Sequence, residues 1–256
     1  LDLGGMGISE DDLITLGANV LPRCINLKML SLAGNALSQY TLGCARVVSG
    51  LSYAPKLEHL DLSCVLFTPP GAHQFYDDEY KVAAVIDLFA VIGSLASLEE
   101  LIFKENYMVS KPLLATFAKQ IMKCENLKML VMSNSVRNIE VFCLTETFAQ
   151  MTLNLAVIAL GGHHLTTDVC KELCGFLAKT VTLRSINLHN CAITDAMFED
   201  LAEAVWIVGS GITELCLTDN RLTQKSIPVV ATIIAWHPTC YSIDVRYNRV
   251  LGDADD

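Results

Sequence analysis

The stretch Leu27-Lys-Met-Leu30-Ser-Leu32-Ala-Gly-Asn35-Ala-Leu37 contains the information that decides the fold. Leu30 and Leu32 alternate, which puts both on one face of a short strand. Asn35 stands where the chain must leave that strand, and its amide can satisfy backbone groups in the turn. The frame L-x-x-L-x-L-x-x-N-x-L then returns along the chain. It reads Leu57-Leu60-Leu62-Val65-Phe67, Leu98-Leu101-Phe103-Asn106-Met108 and Leu127-Leu130-Met132-Ser135. It continues as Leu155-Ile158-Leu160-His163-Leu165 and Leu183-Ile186-Leu188-Cys191-Ile193. Ile212-Leu215-Leu217-Asn220-Leu222 and Cys240-Ile243-Val245-Asn248-Val250 follow, and a fragment, Leu1-Leu3-Met6-Ile8, opens the chain. From Leu27 the steps between first positions are 30, 41, 29, 28, 28, 29 and 28 residues.

Between the strands the apolar period becomes helical. After Asp195, Phe198, Leu201, Ala202 and Val205 share one face while Glu199, Asp200 and Glu203 point elsewhere. Thr167 and Thr194 read as caps, with Asp168 and Asp195 near the positive helix end, and Pro112 suits a first helical position. The apolar run Val82 to Ala96 carries Asp87 and falls short of the roughly 20 residues a membrane span needs, so it reads as a buried amphipathic helix. Each unit is thus strand, turn, helix and return loop. No unit buries its apolar face alone, so consecutive units must stack into one core.

The pattern resembles the leucine-rich repeats, and its 28–29-residue period is similar to the ribonuclease-inhibitor-like class. That class includes the Ran GTPase-activating protein and the sensor domains of NOD-like receptors. The cysteine-containing repeats of F-box receptors are similar in motif but shorter. The resemblance covers essentially the whole chain. It implies an α/β fold: a leucine-rich repeat solenoid (horseshoe) with a parallel β-sheet on the concave face and α-helices on the convex face. The expected organisation is a single domain over 1–256, of about nine repeats. Polar caps are absent from both ends, and terminal repeats need them. The expectation is therefore a segment of a longer protein.

Composition bounds the function. Of 256 residues, 52% are hydrophobic and only 18% charged, which excludes intrinsic disorder. A net charge of −10 argues against a nucleic-acid surface or an anionic membrane surface, both of which demand Lys and Arg. Ten cysteines are scattered among aliphatic residues, below the density of a disulfide scaffold. With no Asn-x-Ser/Thr sequon and no signal peptide, a reducing, cytoplasmic location is expected.

The 41-residue step holds an insertion near 68–80, T-P-P-G-A-H-Q-F-Y-D-D-E-Y. Its Pro-Pro-Gly stretch cannot continue a helix or central strand. Phe75, Tyr76 and Tyr80 bracket Asp77, Asp78 and Glu79. Two readings stand side by side: a partner-binding loop with aromatic anchors, or a local lid packed back on the repeats. The residues between the strand leucines face the expected concave surface. Ile102, Met129, Val131, Val157 and Ala159 form an apolar candidate patch there. Asn187, His189, Asp219, Asp244, Arg246 and Tyr247 form a mixed polar candidate surface, together with Glu214, Cys216 and Thr218.

Catalytic and metal chemistry find little support. Cys170 and Cys174 lie at i, i+4 near His163-His164, but no C-x-x-C pair is present, and His163 occupies the Asn position of its repeat. Cys216 and His189 fall on adjacent expected strands without an oxyanion hole beside them. Neither a phosphate loop nor an EF-hand spacing occurs. The expected function is a non-enzymatic protein-interaction module. It needs no cofactor; its partner is a protein, with no nucleic acid, membrane or small-molecule substrate. The resemblance implies two alternatives: a Ran-activator-like GTPase-activating protein, or the sensor or substrate-receptor region of a NOD-like receptor or F-box ubiquitin-ligase subunit.

Overall fold

The computed structural model describes residues 1–66, 79–106, 108, 111–135, 154–206, 211–237 and 239–249. Phe75 and Tyr76 of the insertion lie outside the described residues, and Tyr80 falls in the first turn of a helix. The chain forms two compact units, Leu1–Val136 and Arg137–Asp256.

In the first unit the order is α1 (Glu10–Thr15), β1 (Met29–Ser31), α2 (Thr41–Leu51), β2 (His59–Asp61), α3 (Glu79–Ile92), β3 (Glu100–Ile102), α4 (Lys111–Ile121) and β4 (Met129–Val131). In the second it is β5 (Val157–Ala159), α5 (Thr167–Lys179), β6 (Ser185–Asn187), α6 (Asp195–Trp206), β7 (Glu214–Cys216), α7 (Ile227–Trp236) and β8 (Ser242–Asp244). Every pairing within a unit is parallel and joins neighbouring repeats. Leu30, Leu60, Leu101 and Leu130 lie in one register in the first unit. Ile158, Ile186, Leu215 and Ile243 do so in the second. This is the leucine-rich repeat solenoid architecture, α/β with parallel strands. The opening fragment forms a single bridge, Asp2 to Ser31, in place of a full strand.

The strand exits explain why the frame needs Asn. Asn106 accepts from the backbone N–H groups of Val65 (2.9 Å) and Leu66 (2.8 Å) and donates to the Leu62 carbonyl at 2.8 Å. Asn220 accepts from Cys191 and Ile193 at 2.9 Å each and donates to Leu188 and Leu217. Asn35 and Asn248 make the same reach to Leu3 and Leu217 of the preceding repeats. Each side chain thus closes two turns at once, and satisfies polar groups that burial would otherwise penalise. Where Ser or Cys replaces Asn, the side chain still bonds across to the preceding repeat, whereas Val65 has no polar atom to do so. Ser135 donates to the Phe103 carbonyl, and the Cys191 thiol to the Leu160 carbonyl at 3.4 Å.

The residue before each ladder position is left-handed. Gly5, Gly34 and Gly162 have φ of +65°, +70° and +78°; Cys64, Glu105, Asn134, Asn190, Asp219 and Tyr247 lie between +49° and +59°. Glycine takes this conformation without strain, whereas Glu, Cys and Tyr do so at a cost that the ladder bonds offset.

Helix starts follow local chemistry. Ser9 and Asp12 form a reciprocal capping box at α1. Thr194 caps α6, its Oγ1 accepting from Met197 N–H at 3.5 Å. At α5 the cap is Thr166, which accepts from Val169, and Thr167 is the first helical residue; the expectation for Thr167 is corrected by one position. Asp195 accepts from the Thr223 N–H (2.8 Å), the Thr223 hydroxyl (2.6 Å) and the Ser226 hydroxyl, tying α6 to the next repeat. Burial alone would raise its pKa, but these donors hold it below the ordinary carboxylate value. The apolar run around Val85, Leu88, Phe89 and Ile92 forms the buried face of α3. Close approach also needs Gly17, where a Cβ would fall 2.1 Å from the Arg46 carbonyl oxygen of α2.

Candidate functional site

Strands only three residues long leave two side chains per repeat on the open sheet face, flanking one buried leucine or isoleucine. The ladder and the register hold these positions in columns. In the first unit one column reads Met29, His59, Glu100, Met129, and the other Ser31, Asp61, Ile102, Val131. Ile102 and Val131 are therefore register neighbours, and Met129 stands beside Glu100; all three are half-buried. His59 Nδ1 lies 2.7 Å from Glu100 Oε2. Asp61 Oδ1 accepts from the Ser63 N–H (2.9 Å) and hydroxyl (2.7 Å). One residue before each strand, Lys28 pairs with Glu58 at 2.6 Å and Lys128 with Glu99 at 2.8 Å.

In the second unit the columns read Val157, Ser185, Glu214, Ser242 and Ala159, Asn187, Cys216, Asp244. Val157 is half-buried, whereas Ala159 is only 8% exposed and offers a partner little surface. His189 turns back onto its own strand, with Nδ1 3.2 Å from Asn187 Oδ1, and its ring covers Gly161, where a Cβ would meet the imidazole at 1.8 Å. Cys216 Sγ lies 3.4 Å from Thr218 Oγ1. Asp244 and Arg246 form a two-bonded pair at 2.6 and 2.9 Å. Asp219 and Tyr247 sit beyond the strands, at the left-handed turn position, and both are exposed. The apolar set is thus Ile102, Met129 and Val131 on one sheet segment and Val157 with Ala159 on the other.

Sequence reading passed over two pairings. Glu214 accepts from the Tyr241 hydroxyl at 2.7 Å and the Ser185 hydroxyl at 3.0 Å, which hold its carboxyl below the ordinary range. The His59–Glu100 pair is the other. The signal was available in part: His59, Glu100, Ser185 and Glu214 share the position immediately before the central strand residue, and Tyr241 stands one residue earlier in its repeat.

His163 fills an Asn position in the ladder. It is fully buried, and its Nδ1–H donates to the Leu160 carbonyl at 2.6 Å, the reach that Asn220 makes to Leu217. Burial pushes its pKa below the ordinary 6.5; the Leu160 bond opposes this and nearby His189 adds to it. Above the unfolded value both states are neutral and stability is complete. As pH falls through that value toward the depressed folded one, the unfolded chain takes the proton first and stability is lost. His163→Asn should abolish this loss, which at pH 5 amounts to at most about 2 kcal/mol. Urea unfolding of both proteins at pH 7.5 and 5 checks it; an equal acid loss in both would assign the sensitivity elsewhere.

The thiols behave as core. Burial pushes Cys44 and Cys191 to about 12 and Cys124 to about 11, so they stay protonated at neutral pH. Among the described residues no group of three or more His, Cys, Asp or Glu could hold a metal ion. Among them, too, no helix is long and apolar enough to cross a membrane.

No protein-family profile matches the chain, and no curated protein matches it. Among solved structures it is similar to the tropomodulin C-terminal domain of Caenorhabditis elegans, at 12% identity and a TM-score of 0.41, over 77% of this chain and 92% of that one. It is similar also to TLR13 in a complex with ssRNA13, at 15% identity and a TM-score of 0.39, over 89% of this chain and 33% of that one. A third is an internalin (InlF) from Listeria monocytogenes, at 12% identity and a TM-score of 0.28, over 96% of this chain and 85% of that one.

Proposed function

We propose that the chain is a non-enzymatic interaction module of the ribonuclease-inhibitor-like repeat class, working in the cytoplasm and binding a protein on its open, concave sheet face. The observation that carries this reading is the Ile102–Val131 register pair with Met129 beside it. These side chains are half-buried on short strands whose neighbouring positions are charged or polar. An apolar group of this kind, rimmed by polar residues on a rigid scaffold, is the composition of an interface core. The net charge of −10 favours a protein over a nucleic acid. The 28–29-residue period supports the repeat class.

The test is Ile102→Asp with Val131→Asp in one protein and Val157→Asp in another. Partner capture by the first should fall at least about tenfold, since a charge placed in a dry interface core is left unpaired. Unaltered capture by both, with unaltered circular dichroism, would remove the partner from the sheet face.

A further inference from the structure

The first unit's sheet face carries a cavity of about 410 Å³. Leu30 and Leu60, both buried, lie at its base; Met29 and Ile102 contribute further apolar surface. Its polar groups are mostly acidic: Asp2, Asp61 and Glu100, with His59 against Glu100. Two nearby lysines are engaged elsewhere. Lys28 and Lys128 pair with Glu58 and Glu99, and the Leu1 backbone nitrogen donates to the Met29 carbonyl at 2.8 Å. Lys104, exposed, lies two residues beyond Ile102, past the end of β3.

We propose that this cavity receives a lysine or arginine side chain from a partner polypeptide. This rests on the interaction reading above and specifies its chemistry. The methylene stem lies against Met29 and Ile102, and the charged head sits among Asp61, Glu100 and Asp2. Three arguments select that occupant. The volume admits a side chain and its neighbours but not a folded element. Apolar surface joined to carboxylates matches the amphipathic build of Lys and Arg, whose stems bury while their heads remain charged. A neutral or acidic occupant would desolvate the carboxylates without compensation, a cost that a cation removes. A second copy of this chain is disfavoured by its own charge of −10, which repels like molecules and attracts a basic segment.

The test pans a random peptide display library against the immobilised chain and measures the enriched peptides by fluorescence anisotropy. Enriched sequences should carry Lys or Arg beside apolar residues. They should bind at least roughly tenfold more weakly to the Asp61→Asn/Glu100→Gln protein, and more weakly still as salt is added. The Asp61→Asn change retains an acceptor oxygen for Ser63. Glu100→Gln alone leaves those bonds untouched and keeps the test decisive should the double variant not fold. Enriched peptides without a basic residue, equal binding to the variants, or no enrichment would each overturn the cation site. So would a concentration-dependent dimer that the same substitutions abolish, since the occupant would then be a second copy. Peptides lost on Ile102→Asp/Val131→Asp but unmoved by Asp61→Asn/Glu100→Gln would overturn the cation site alone. Peptides unmoved by either set would remove both it and the proposed function.

Discussion

Replacing Asn106 with alanine should destabilise the first unit by about 3–5 kcal/mol, one of the two largest single-residue effects expected here. The side chain is fully buried and bonds to Val65 N–H, Leu66 N–H and the Leu62 carbonyl. Alanine removes all three bonds. It leaves two donors and one acceptor buried, each costing about 1–3 kcal/mol when unsatisfied. Partial relaxation of the turn recovers some of that sum, which sets the lower bound. Asn106→Asp is the informative companion. It keeps the acceptor but loses the donor to Leu62, and it buries a charge, so it should be nearly as harmful. Equilibrium urea unfolding measures both. A loss below about 1 kcal/mol for alanine would mean that the turn closes without the ladder.

Phe103→Ala should cost a similar amount, about 3–5 kcal/mol, by a different route. Phe103 takes the third leucine position of its repeat and is fully buried. Its ring stacks on Phe117 of α4, with centroids 5.0 Å apart at 28°. It meets Phe89 of α3 edge-on at 6.0 Å, and Phe89 meets Phe117 at 5.0 Å. The three rings thus join two helices to one strand exit. Truncating one removes transfer free energy, leaves a cavity among residues held by their own repeats, and breaks two ring contacts worth about 0.5–1.5 kcal/mol each. Phe103→Leu restores the ordinary repeat residue and should recover part of the loss. A double-mutant cycle of Phe89→Ala and Phe117→Ala should be non-additive by about 0.5–1.5 kcal/mol. Strict additivity would show that the rings contribute by burial alone.

These two effects divide according to where each could be read. Asn106 was legible as a ladder residue, because the frame repeats with the same spacing on either side of it. The Phe103 partners were not. Phe89 and Phe117 belong to helices on opposite sides of their strand in sequence. Only the return of both helices onto one core face brings the rings together. The candidate site shows the same split. Ile102, Met129 and Val131 follow from strand alternation alone. The His59–Glu100 pair needs the register between repeats separated by a 41-residue step. Thr194 was readable as a cap, but Thr166 and Thr167 are adjacent alternatives, and the helix start that chooses between them is set by packing.

The sequence by itself determined the repeat frame, the buried leucines, the strand and helix order and the ladder position of His163, because each depends on local period and spacing. Tertiary structure alone decided the left-handed turns at Glu105, Asp219 and Tyr247, the close approach at Gly17, and the acidic cavity above Leu30 and Leu60. The reason is physical. A strained φ or a shared cavity is favourable only through bonds and contacts from a neighbouring repeat, and those exist once the repeats stack.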